Sequence, residues 1–165
     1  MNSGFTATAT IKLPVQQVWR FLVDMEQSPA WMKGVNKITP VGPNHGLPNG
    51  TTMIGARFTT HLSTSGQGAQ REVMVTAWEP NHRFALTSNE GGILTTYEYC
   101  LRSKREYTEM TLHAEFRASG VWRLIGPLVT YMMKRHDGNQ LELFKEAAEK
   151  FYASNEINQF QKLLT

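Results

Sequence analysis

Phe5, Ala7, Ala9 and Ile11 alternate with Thr6, Thr8 and Thr10, the period of two expected of a strand with one buried face. Pro14 follows where a helix can begin, because a first-turn proline forfeits no helical hydrogen bond. Val15, Val18, Trp19 and Leu22 then fall at three- and four-residue spacing, which predicts an amphipathic helix of two turns. Residues 24–29 interrupt it, and Ala30-Trp31-Met32-Lys33 predicts a second short helical piece before Gly34.

From Val35 to Arg117 the pattern is extended. Strands are predicted over Val35–Val41, over Thr51–His61 with Ile54, Ala56 and Phe58 on one side, and over Arg71–Trp78 and Arg83–Ser88. Two more follow over Ile93–Leu101 and Tyr107–Arg117. Residues 42–50, 63–68, 79–81 and 90–92 carry the glycines, prolines and small polar residues of turns and loops. In the fifth of these strands Tyr97, Tyr99 and Leu101 share one face, and Thr96, Glu98 and Cys100 the other. In the sixth, Met110, Leu112, Ala114 and Phe116 alternate with Thr111, His113 and Glu115. Turns of hairpin length between such strands predict an antiparallel sheet.

Beyond Ser119 the period turns helical. Ile125, Leu128 and Met132 are followed, after a break at His136-Asp137-Gly138, by Leu141, Phe144, Ala148 and Phe151. Pro127 either opens this helix or kinks it. Residues 155–165 show no clear period and read as a frayed or separate short helix. The expectation is an α+β domain over residues 1–153 with a tail over 154–165. One strand, two short helices, six antiparallel strands and a long helix follow in order. The apolar face of the sheet needs a cover, and the long helix is the only large element available. Two short helices cannot fill the remainder, so space between sheet and helix is expected.

The length of 165 residues suits one domain with a sizeable core. No apolar run reaches the 18 or so residues of a membrane span, and the start lacks the basic and apolar regions of a signal peptide. Cys100 is the one cysteine; with no partner for a disulfide, the natural compartment is the cytoplasm. Asn49-Gly50-Thr51 then reads as a turn rather than a glycosylation acceptor. The net charge of +3 is small, and the basic groups at 102–105 and 134–136 are each followed by an acidic residue. They read as solvated faces, which argues against a nucleic-acid partner.

Strong catalytic signatures are absent. The chain has no HExxH, paired CxxC, Walker loop or GxSxG, and Gly66-Gln67-Gly68 precedes a strand, as in a hairpin loop. The five histidines lack metal-ligand spacing, so neither metal nor cofactor is expected. His113 and Glu115 share a face, but it is the polar one, and the same alternation puts Glu98 outside. Arg57 and Arg71 are candidates for an anionic ligand group, with outward positions favoured. Cys100 has no activating base nearby in the pattern. Tyr97 and Tyr99 point toward the covering helix, where a buried hydroxyl needs a partner; a ligand oxygen is one and the protein core is another. Trp31 and Trp122 read either as lid residues or as packing tryptophans.

The order of elements, with Ile11–Leu22, Ala30–Val35, Val75–Phe84 and the closing Ile125–Glu149, resembles the SRPBCC superfamily, the START-like or Bet v 1-like helix-grip proteins. Within it the chain is most similar to the polyketide cyclase/dehydrase-like group. The resemblance spans about residues 5–152 and implies a curved sheet gripping the long helix around an apolar cavity for lipids, sterols or polyketides. It implies no single reaction, since the fold hosts enzymes, carriers and regulatory domains. The residues expected to line the cavity are Trp31, Phe58, Phe84, Leu86, Tyr97, Tyr99, Leu112, Phe116, Leu128 and Met132, with the tyrosines orienting the ligand. The expected function is binding of a small hydrophobic or amphipathic molecule, as carrier or sensor, in a chain with no integral membrane association and with a homodimer left open. The alternative is a cyclase, aromatase or dehydratase, favoured by a polar residue of shifted pKa inside the cavity. A protein-binding module using residues 120–133 would be favoured by a filled interior.

Overall fold

The computed structural model describes residues 2–42, 53–63, 69–119, 131, 134, 135 and 137–163. Strand β1 (Asn2–Ile11) leads into helix α1 (Val15–Val23) and a 3-10 turn (Ser28–Ala30). Six strands follow: β2 (Val35–Val41), β3 (Arg57–Leu62), β4 (Gln70–Glu79), β5 (Arg83–Glu90), β6 (Ile93–Lys104) and β7 (Tyr107–Ala118). Helix α2 (Gln140–Leu163) closes the chain. The strands form one antiparallel sheet in the order β1-β7-β6-β5-β4-β3-β2, so each strand after β2 pairs with its predecessor and β1 completes the sheet on β7. Irregular register between Val75 and Ala77 in β4, and between Val35 and Lys37 in β2, adds the local bend and twist that a curved sheet requires.

The alternation read from the sequence sets the faces. Tyr99, Leu101, Met110, Leu112, Ala114 and Phe116 are buried on the inner face, while His113 and Glu115 are exposed on the outer. Helix α1 buries Val15, Val18, Trp19, Phe21 and Leu22. Its Trp19 meets Trp78 edge-on at 5.0 Å and Phe84 at 6.4 Å, so one end of the sheet is plugged by aromatic rings. Phe144 of α2 is fully buried and packs edge-on against Phe21 at 5.4 Å and Trp31 at 5.0 Å. Two hydrogen bonds tie α2 to the N-terminal elements: the Lys12 amide donates to Glu149 Oε1 at 2.8 Å, and the Tyr152 hydroxyl to the Gln17 carbonyl at 3.1 Å. In β1, a Cβ on Gly4 would collide with the Ala114 carbonyl, so this close strand approach needs glycine.

Three expectations shift in detail. The strand expected over Thr51–His61 begins only at Arg57. Gly55 has φ +85° and Ala56 N–H bonds back to the Met53 carbonyl, so a turn replaces extended chain, and Ile54 is exposed rather than aligned with Phe58. The second helical piece is the 3-10 turn at Ser28–Ala30, slightly earlier than expected, with Pro29 supplying a compatible φ. Helix α2 runs on to Leu163 through residues whose sequence has no apolar period. The residues from Ala153 to Gln159 are exposed, so this stretch needs no apolar stripe. The expected helical segment at 120–130, including Trp122, Ile125, Pro127 and Leu128, lies outside the described residues, as does Met132.

Candidate functional site

Between the sheet, the 3-10 turn and the start of α2 lies a cavity of about 310 Å³, at the lower end of the roughly 300–1,000 Å³ of small-molecule sites. Its apolar wall comes from Met25, Met32, Val35, Ile38, Leu62, Val73 and Leu86. Tyr97, Tyr99, Asp137, Gln140, Arg71, Ser88, Thr60 and Lys33 supply the polar lining. Among the described elements, α1 packs on β6 and β7, the closing helix on β1, and the 3-10 turn on β2.

The register of β5 and β6 sets Leu86 opposite Tyr97 and Phe84 opposite Tyr99. The Tyr97 hydroxyl donates to Asp137 Oδ2 at 2.6 Å, a charge-assisted bond. Tyr99 is fully buried and accepts from Gln140 Nε2 at 2.8 Å. Burial pushes the Tyr97 hydroxyl far up from the ordinary tyrosine value; the Asp137 charge and hydrogen bond add to this, while Arg71 opposes it. Tyr99 is also raised, first by burial and then by the Asp137 charge. Both phenols therefore remain neutral hydrogen-bonding groups, and the Asp137 field reaches each of them.

Arg71 corrects the outward expectation. It lies two residues from Val73 on the same face of β4, and both line the cavity. Its Nε sits 2.9 Å from Glu90 Oε2, an ion pair not aligned as a hydrogen bond. Thr60, opposite Arg71 in the neighbouring strand, donates its hydroxyl to the Arg71 carbonyl at 2.9 Å. Arg57 does face outward, paired with Glu72 at 3.3 Å. Glu98 likewise pairs with Arg83 at 3.4 Å. Cys100 is only partly buried, and burial followed by the nearby Glu98 charge raises its thiol, which suits no nucleophile at neutral pH.

Of the residues expected to line a cavity, Leu86, Tyr97 and Tyr99 converge on this one. Trp31, Phe58, Phe84, Leu112 and Phe116 are buried in the adjoining apolar core instead. Trp31 packs edge-on against Tyr99 at 5.8 Å, and its Nε1 finds no acceptor among the described residues. Phe84 is held by Trp19, Trp78 and Tyr99; Phe116 packs against Phe5 and Tyr97. Leu128 and Met132 lie outside the described residues.

Asp137 and Gln140 were not singled out from the sequence. The available signal was the interrupted helical period at residues 136–138. The turn at Gly138–Asn139 starts α2 at Gln140 and brings both side chains against β6. Among the described residues no cluster of His, Cys, Asp and Glu suits a metal ion, and no helix is long and apolar enough to cross a membrane.

This architecture defines a helix-grip protein with an internal cavity. The profile of the family described as "Polyketide cyclase / dehydrase and lipid transport" matches residues 4–149, and the chain belongs to that family, within the SRPBCC superfamily. No curated protein matches it by sequence. Among solved structures it is similar to Ara h 8.0201, with 14% identity, 93% of this chain and 99% of that one covered, and a TM-score of 0.67. It is also similar to a Thalictrum norcoclaurine synthase point mutant in complex with a transition-state analogue, with 11% identity, 94% and 97% coverage and a TM-score of 0.66. A Zhui aromatase/cyclase from Streptomyces sp. R1128 matches with 15% identity, 90% and 92% coverage and a TM-score of 0.65. Identities this low establish the shared fold alone.

Proposed function

We propose that the protein binds a small amphipathic molecule in this cavity, as a carrier or sensor. Lipid-, sterol- and polyketide-like compounds combine the required features, an apolar body and an oxygen-bearing head. The observation that supports this reading is the asymmetry of the wall: the hydrogen-bonded pairs Tyr97–Asp137 and Tyr99–Gln140 meet side chains such as Val73 and Leu86. Apolar burial supplies affinity, and a few fixed polar groups orient the guest. Met25 and Met32 add flexible thioethers that adapt to shape.

Gentle purification, followed by native and denaturing mass spectra and organic extraction, tests the proposal. A stoichiometric apolar compound with an oxygen function is expected. A chain that carries no compound and also fails to bind lipid-, sterol- and polyketide-like compounds would refute the reading.

A second reading, a cyclase-, aromatase- or dehydratase-type enzyme, is favoured by one feature, the Asp137 carboxylate in the cavity beside a phenol of raised pKa. A carboxylate held next to neutral hydroxyl donors is equipped to move a proton on an enclosed substrate. Conversion of the bound compound over time, lost in Asp137→Asn, separates the enzyme from the carrier.

A further inference from the structure

The two edges of the sheet are built differently. At one edge, β2 is seven residues long and carries the exposed Lys37. It also contains Pro40, which has no N–H to offer, and its register is irregular between Val35 and Lys37. A short strand, an edge lysine, a proline and a bulge are the devices that keep a free edge from pairing with another chain. At the other edge, β1 has none of them. Asn2–Ile11 contains no charged residue and no proline, and it pairs with β7 along its whole length without a register shift.

A strand in an antiparallel pair turns one set of N–H and C=O groups to its partner and the other set away. β7 takes the first set from β1. Among the described residues nothing takes the second. Side chains hold the backbone only just past the strand, where Glu149 accepts from the Lys12 amide and Thr108 donates to the Leu13 carbonyl. Thr6, Thr8 and Thr10 are exposed along β1. An uncharged edge of this length with unpaired backbone groups is a template for one more strand.

The sequence of β1 says which strand fits. Two copies laid antiparallel about a two-fold axis at Thr8 set Phe5 opposite Ile11, Thr6 opposite Thr10, Ala7 opposite Ala9 and Thr8 opposite itself. This register keeps the buried Phe5, Ala9 and Ile11 on the inner face and the threonines on the outer. Threonine pairs across strands are favourable, and no like charges meet. A head-to-tail contact would instead use the guarded β2 edge and run on as an open filament, whereas a two-fold contact closes on itself.

We infer that β1 is a docking edge for a second copy of this chain, the two strands pairing antiparallel about a two-fold axis at Thr8 so that the two sheets become one. No β1 residue lines the cavity, so the contact is independent of what the cavity binds.

Analytical ultracentrifugation of the full chain over a range of concentrations tests this. A single strand pair is a small interface, so a weak dimer is expected, with a dissociation constant of about 10–100 µM. Thr8→Lys and Thr8→Glu each bring like charges face to face at the axis and should weaken the dimer at least about tenfold. Thr8 is exposed, and circular dichroism checks that both variants are folded. Mixing the two variants sets lysine opposite glutamate and should restore a dimer about as tight as that of the unaltered chain. Contact through any other surface would show neither effect.

A chain that stays monomeric up to about 1 mM would overturn the inference. So would a dimer unchanged by either folded variant, a mixture that pairs no better than each variant alone, or assemblies that grow beyond the dimer.

Discussion

Removing the Tyr99 hydroxyl is the most direct test of how the polar end of the cavity is built. Tyr99 is fully buried and Gln140 is 7% exposed, joined by a 2.8 Å hydrogen bond. Tyr99→Phe keeps the ring, its stacking on Phe84 and its edge contact with Trp31, so no cavity the size of a side chain is opened. What changes is that the Gln140 amide loses its acceptor. A buried donor left unpaired costs about 1–3 kcal/mol. Both residues border the cavity, where a water can replace part of the lost bond, so the lower half of that range applies, about 1.5 kcal/mol. For a chain of this length that corresponds to a melting temperature lowered by about 3–6 °C.

Gln140→Leu should cost a similar amount, since it strips the phenol of its donor. The double variant removes both members, so its loss should fall short of the sum by about 1 kcal/mol. Urea denaturation of the four proteins closes the cycle, with unchanged slopes confirming comparable two-state transitions. A cost below about 0.5 kcal/mol for Tyr99→Phe, together with no coupling, would refute the reasoning; water would then be satisfying both groups as well as they satisfy each other.

Tyr97 and Tyr99 also predict an alkaline limit. Both have folded pKa values raised above the ordinary tyrosine value of about 10, so no stability is lost on their account below that pH. Above it the unfolded chain releases protons the native state retains, and stability falls by about 1.4 kcal/mol per pH unit for each. Phenolate absorbance followed beside circular dichroism checks this; reversible ionisation of both residues near pH 10 in folded protein would contradict it. Phe144→Ala should cost about 3–5 kcal/mol in urea denaturation, because its ring is fully buried between Phe21 and Trp31, and a loss under about 1 kcal/mol would mean that α2 is not seated there. Tyr97→Phe should weaken an oxygen-bearing ligand more than a hydrocarbon of the same shape in calorimetric titration, and equal losses would remove Tyr97 from head-group recognition.

Much of the fold follows from local chemistry. The period of two through Tyr97, Tyr99 and Leu101, and again through Met110, Leu112, Ala114 and Phe116, sets the inner face of the sheet whatever surrounds it, because side chains alternate along any strand. Gly55 shows the limit of that reading. Its left-handed conformation holds off the start of β3 until Arg57, and a glycine is compatible with strand and turn alike. Arg71 shows another: the outward expectation set it in alternation with Val73, whereas a spacing of two puts both on one face of the strand.

The site is less legible for a physical reason. Whether an inward residue meets a void or another side chain depends on which helix reaches it. Phe84 and Tyr99 are opposite each other in register, yet Phe84 is sealed beneath Trp19 and Trp78 while Tyr99 reaches the cavity. Asp137 and Gln140 lie some forty residues from the tyrosines they bond, and nothing in local periodicity encodes that distance being closed. The sequence by itself determined the strands, their inner face and the need for a covering helix, since those are consequences of burying alternate side chains. Only the tertiary structure decided which inward side chains border the cavity and which distant residues meet them there, because packing between distant segments is a property of the whole chain.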